Sequence, residues 1–128
     1  MEKRLTILAA ILGGLGVAIG AFGAHALDAH FTVHPDLAGT YQTGVEYHFY
    51  HTLALCFVVW AAHQWPHRLL NWAGYLFVAG IVIFSGSLYL LAMSNIRWLG
   101  AITPIGGVAF IAGWACLGWG VWRSASAI

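Results

Sequence analysis

The sequence predicts an all-α, four-helix transmembrane bundle. Three observations carry that expectation. The chain of 128 residues is 61% hydrophobic and 7% charged, where a soluble domain carries roughly a quarter charged residues. Long uncharged runs extend over Leu5–Ala24, Leu69–Met93 and Leu99–Trp122, each reaching the roughly 20 residues that cross a hydrocarbon core about 30 Å thick. A fourth, less pure segment lies between the first two.

The elements follow in order. Helix 1 is expected over about 5–24; it is longer than a signal-peptide core and is followed by further spans, so it reads as a permanent helix. Helix 2 is expected over about 41–62, helix 3 over 69–93 and helix 4 over 102–122. The second and third connections are short, which favours antiparallel neighbours. The first, His25 to Thr40, contains the turn signal His34-Pro35-Asp36 and is expected at the interface, with a short helical turn near Ala26–Phe31. The whole of 1–128 reads as one integral membrane domain. Lys3, Arg4, Arg68 and Arg123 fall at one end and Arg97 at the other. By the positive-inside rule the bundle then runs up-down-up-down with both termini cytoplasmic. A net charge of +1 without a basic patch gives no sign of a nucleic-acid partner.

Small residues mark close contacts. Gly13, Gly16, Gly20 and Gly23 lie on helix 1, and Ala109, Gly113 and Gly120 on helix 4; such residues let backbones approach where lipid supplies no hydrophobic drive. Packing within the chain is expected over packing against a second copy. Cys56 and Cys116 both lie in apolar segments and read as buried small hydrophobes, not as a disulfide.

The candidate site is a polar constellation. Glu46, Tyr47, His48, Tyr50 and His51 enter the second apolar segment, where a charged residue costs about 2.5–3.5 kcal/mol at a helix centre. With the termini inside, His25, Ser85, Arg97 and Thr103 gather with them in the outer half. At 100° per residue Tyr47, His48 and His51 share an arc of helix 2, with Glu46 and Tyr50 on an adjoining face. By 1.5 Å rise His51 lies roughly 15 Å deep and Glu46 roughly 7 Å. Glu46 is expected to pair with Arg97, whose planar guanidinium suits a carboxylate; the alternative is a protonatable Glu46 that handles ions. His48 and His51, one turn apart, permit metal ligation with His25 or Glu46 as a third ligand. The same spacing serves a hydrogen-bonded structural network, a quinone-like ligand or a haem. His30 and His34 read as a solvated interfacial pair. No Ser-His-Asp pattern, HExxH, phosphate loop or CxxC argues for an enzyme.

Four ordered motifs, GAFGAHAL (20–27), TGVEYHFYHTLAL (43–55), FSGSLYLLA (84–92) and LGAITPIGG (99–107), resemble the YgdD-like family of small bacterial inner-membrane proteins. The resemblance implies a four-helix membrane protein and no particular activity. Gly23, His25, Glu46, Tyr47, His48, His51, Ser85, Gly86, Thr103, Pro104 and Gly106 match its signature positions.

Three function classes remain at this point. One is a non-enzymatic protein that binds a small ligand or a membrane-protein partner through the polar cluster. The others are an ion or proton pathway through a homo-oligomer, and a redox subunit with histidine-bound metal or haem.

Overall fold

The computed structural model describes residues 1–126. Its helices are α1 (Glu2–His25), α2 (Asp28–Val33), α3 (Pro35–Gln64), α4 (Arg68–Gly80), α5 (Gly86–Ser94) and α6 (Thr103–Ala125). A π-helical turn, Ile81–Ser85, joins α4 to α5 without a break, and a 3₁₀ turn, Arg97–Ala101, precedes α6.

Local chemistry explains the ends. Pro35 occupies the first turn of α3, where its missing N–H has no helical partner to lose and its fixed φ suits a helix. The His34-Pro35-Asp36 turn is therefore a helix start, and α3 begins six residues before the expected Tyr41. Asn95 closes α5 in the left-handed region, at φ 57°, a backbone conformation that Asn tolerates better than most residues. The 30 residues of α3 make it roughly 45 Å long.

Among the described residues, three helical stretches are long and apolar enough to cross a membrane: Glu2–His25, Arg68–Ser94 and Arg97–Ala125. Helix α3 has the length but not the apolarity, because Gln42, Thr43, Glu46, His48, His51 and Thr52 crowd its middle turns.

Glycines set the packing. A Cβ on Gly16 would meet the Phe49 ring at 2.8 Å, and one on Gly23 would collide with the Tyr41 ring; Gly13 and Gly20 face Thr52 and Val45. The glycine face of α1 therefore lies on α3 within the chain, and the pairs run antiparallel. Helix α6 lies on α4 through Gly113 against Phe77 and Gly120 against Leu69. Further along, a Cβ on Gly106 would strike the backbone of Phe84 and one on Gly80 the ring of Phe110. The two glycine faces thus meet different neighbours and not each other.

Two apolar clusters result. The larger includes Leu5, Leu12, Leu55, Val58, Leu70, Phe77, Phe110 and Leu117; the smaller has Leu37, Tyr41, Tyr89, Leu91 and Ala92. Along α3, the buried polar residues His48, His51 and Thr52 fall between Tyr41 of one cluster and Ala54 of the other. Cys56 and Cys116 are free thiols, the former exposed.

Candidate functional site

The buried polar layer is a set of cross-helix hydrogen bonds. His48, 2% exposed, places Nε2 at 2.7 Å from the Leu12 carbonyl on α1 and Nδ1 at 2.9 Å from the Tyr89 hydroxyl on α5. A carbonyl only accepts, so Nε2 carries the proton, and in that tautomer Nδ1 accepts the Tyr89 hydroxyl. His51 takes the opposite tautomer. Its Nδ1–H donates to the Tyr47 carbonyl at 2.8 Å, and its Nε2 accepts the Trp114 indole N–H at 3.2 Å. The imidazole lies flat on Phe110, with ring centroids 3.5 Å apart, and meets the edge of Phe77.

Neighbouring hydroxyls continue the layer. Ser85 donates to the Gly44 carbonyl at 2.7 Å, and Tyr41 to the Ile19 carbonyl at 2.5 Å. Ser87 donates to the Phe84 carbonyl at 2.9 Å, so the 2.6 Å contact between Ser87 and Thr103 is a bond donated by Thr103. Among the described residues no buried side-chain nitrogen or oxygen lacks a partner. An unmade bond in such a place costs about 1–3 kcal/mol, and here that cost is avoided throughout.

This arrangement leaves no open metal centre. Both nitrogens of His48 and of His51 are engaged by protein groups, and a metal would have to displace Leu12, Tyr89 or Trp114. His25 is exposed at the end of α1. Among the described residues no group of three or more His, Cys, Asp or Glu side chains is placed to hold a metal ion.

The expected Glu46–Arg97 pair is not formed. Arg97 donates from Nη2 to Asp36 Oδ2 at 2.8 Å, with both side chains exposed. The early start of α3 is the reason: it puts Asp36 in a rigid first turn beside the third connection, while Glu46 lies two to three turns further along the helix. The Arg97 hydrogen bond is the largest influence and holds the Asp36 carboxyl below the ordinary carboxylate value; desolvation opposes it, and the Arg97 charge adds a lesser lowering. Glu46 is instead exposed, and its hydrogen bond is a 3.4 Å contact from Gln42, one turn earlier. Tyr50, 56% exposed, follows one turn later, its ring against that of Tyr47.

The register against α1 gives the depth of this carboxylate. Gly16 faces Phe49 and Gly20 faces Val45, so Glu46 lies level with that turn of α1, roughly 10 Å inside the end at His25. The candidates therefore divide in two. His48, His51, Ser85 and Thr103 are buried in the network and Tyr47 borders it, whereas Glu46 and Tyr50 share the outer face of α3. Arg97 and His25 belong to neither group.

Sequence reasoning missed Tyr41, Phe110, Trp114 and the carbonyls of Leu12, Ile19 and Gly44. It also misread His30, whose Nε2 lies 2.8 Å from the Ala92 carbonyl; this contact fastens α2 to the last turn of α5, where helical carbonyls lack intrahelical partners.

Comparison with known proteins agrees with the long apolar helices in that the relatives are named membrane proteins. The family described as "Protein of unknown function (DUF423)" matches residues 19–107. The chain belongs to that family. The DUF423 match takes in the end of α1, all of α3 to α5 and the start of α6, and so every residue of the buried network from Ile19 to Thr103. Similar proteins include the UPF0382 membrane protein YwdK of Bacillus subtilis, 48% identical over 88% of this chain and 90% of that protein. The UPF0382 inner membrane protein YgdD of Escherichia coli K12 is 43% identical over 91% of this chain and 87% of its own length. The UPF0382 membrane protein SH2409 of Staphylococcus haemolyticus is 44% identical, with 90% and 92% covered. No solved structure matches the chain. This DUF423 chain is a membrane protein, and its family carries no assigned activity.

Proposed function

We propose that this protein is a non-enzymatic accessory subunit of the inner membrane that associates with another membrane protein through the outer face of α3. In this reading residues 1–128 form one domain and four spans cross up-down-up-down. Both termini are cytoplasmic, with Lys3, Arg4, Arg68 and Arg123 inside and Arg97 outside.

The observation that carries the reading is Glu46. It is a carboxylate at membrane depth, it faces outward, and its own chain offers it one long contact from Gln42. Facing hydrocarbon alone, it would cost a few kcal/mol; against a partner helix that supplies donors, the same group becomes an interhelical hydrogen bond. Gln42, Glu46 and Tyr50 recur every four residues, so they form one stripe down α3. Leu53, Phe57 and Trp60 are also exposed and extend the face toward the inner side. The histidines have the opposite character, because their bonding capacity is consumed within the chain. They hold α1, α3, α5 and α6 together so that this face is presented rigidly.

Native mass spectrometry after gentle extraction tests the proposal. The expected result is an assembly heavier than the 13.8 kDa chain that is lost in Glu46→Ala, while the thermal midpoint of the variant stays near that of the parent. A bare monomer from the native membrane, or an assembly untouched by the substitution, would overturn it. A second reading, a small lipid-like ligand, has one observation in favour. An open apolar groove of about 370 Å³ is lined by Ala18, Ile19, Phe22, Tyr41, Tyr89 and Met93, and two of these side chains belong to the polar network. A fixed small mass increment in the same spectra would select that reading.

A further inference from the structure

The opposite end of the molecule has the complementary electrostatics. Lys3, Arg4, Arg68 and Arg123 lie there with one acidic side chain, Glu2, whose neighbour is His63 at 3.9 Å. Neither Arg68 nor Arg123 forms an ion pair among the described residues.

Close packing brings these two arginines to one place. A Cβ on Gly120 would meet Leu69 Cβ at 3.1 Å and Leu70 Cγ at 3.4 Å, so the end of α6 presses on the first turn of α4. Arg123 is three residues beyond Gly120 and Trp119 directly precedes it. With His67, Arg68 and Leu69 they line an open cavity of about 320 Å³. The cap of α4 leaves its side chains free to bind. The Leu69 amide donates to His67 Nδ1 at 3.2 Å, and the Leu70 amide to the His67 carbonyl at 3.0 Å. His67 therefore carries its proton on Nε2 as a donor. Two arginines, a histidine and a tryptophan line the space, and no acidic residue does.

We propose that this cavity binds the phosphodiester headgroup of an anionic membrane lipid. Guanidiniums match phosphate oxygens with paired donors, and basic pockets between membrane helices at the cytoplasmic side suit such headgroups. A lipid fits better than free phosphate because the surroundings are amphipathic. Trp119 and Trp122 are 56% and 61% exposed, as in an interfacial aromatic belt, and Leu69 supplies an apolar wall on which an acyl chain can lie. The site is at the far end from Glu46 and does not depend on the accessory role.

The test is native mass spectrometry of the full chain in detergent, titrated in parallel with phosphatidylglycerol, phosphatidylcholine and inorganic phosphate. Retention of phosphatidylglycerol over phosphatidylcholine is expected. In Arg68→Gln/Arg123→Gln that preference should fall by about tenfold or more, because the charged paired donors to the phosphate are lost from the cavity itself. Lys3→Gln/Arg4→Gln removes the same charge from the same end outside the cavity and should keep the preference. Equal retention of both lipids, equal loss in the two double variants, or displacement by millimolar inorganic phosphate would each overturn the proposal. All four substituted residues are exposed, so an unchanged circular dichroism melt accompanies the expected result.

Discussion

The buried bond between His48 and Tyr89 yields the sharpest test of the polar layer as the fastening between helices. Tyr89→Phe removes the hydroxyl that donates to His48 Nδ1 at 2.9 Å and strands an acceptor in a site 2% exposed. Interhelical hydrogen bonds in membranes are worth about 0.6 kcal/mol on average and about 1.7 at most. A stranded buried group adds to that, so a loss of about 1–2 kcal/mol is expected. His48→Leu keeps much of the volume but deletes two bonds, to Leu12 and Tyr89, and strands the Tyr89 hydroxyl, for about 2–3 kcal/mol. The double variant strands no hydroxyl and no Nδ1. Its loss should be about 2–3 kcal/mol, short of the additive sum by about 1–2 kcal/mol. Reversible unfolding by SDS in mixed micelles, followed by circular dichroism, measures all three. Additivity within about 0.3 kcal/mol would mean that the bond does not fasten α3 to α5, and the structural account of His48 would fail.

Four further outcomes are expected. Exchanging Asp36 and Arg97 should restore the thermal midpoint lost in either single variant, whereas exchanging Glu46 and Arg97 should restore nothing. Because the Asp36 carboxyl is held below its ordinary value of 3.8, its small stabilising effect is present above that pH. It should disappear as pH falls below 3.8, a loss absent in Asp36→Asn and read by acid titration of the midpoint. Gly106→Ala should destabilise by about 1–3 kcal/mol, since its Cβ strikes the Phe84 backbone, which cannot swing aside. Gly14→Ala, with nothing within 4 Å, should be neutral or stabilise by about 0.5–1 kcal/mol in the same assay. Trp114→Phe should cost about 1–2 kcal/mol by stranding His51 Nε2, and Trp114→His, which can still offer an N–H, should recover part of that.

Much of the fold was legible because bilayer length and backbone hydrogen bonding leave few solutions for so apolar a chain. The expected ends of the last two helices lie within three residues of Ser94 and Ala125. The start of α3 was not legible, because His34-Pro35-Asp36 signals a turn and a helix N-terminus equally well. That one ambiguity propagated: with Asp36 assigned to a loop, Arg97 had Glu46 as its evident partner. The π turn at Ile81–Ser85 was hidden for another reason, since its extra residue shows only as a change of buried face, from Phe77 and Ile81 to Ser85, Ser87 and Tyr89. The site was half legible. Residue type located His48 and His51, but their partners at Leu12 and Tyr47 are carbonyls, which every residue has.

A shared arc on a helix does not make a shared site. His48 and His51 are three positions apart and point within about 60° of each other, yet one is bonded to α1 and α5 and the other to α6. Helix α3 is central, so a small turn of its surface changes the neighbour that is met. Glu46 lies two positions before His48, about 160° around the helix, and faces away from the chain. A polar residue in a membrane helix needs a partner, and for the histidines the chain supplies it. For Glu46 the nearest donor is 3.4 Å away on its own exposed stripe. Among the polar side chains of α3 that lie between its two apolar clusters, Glu46 is therefore the one that the proposed association with a second protein would satisfy.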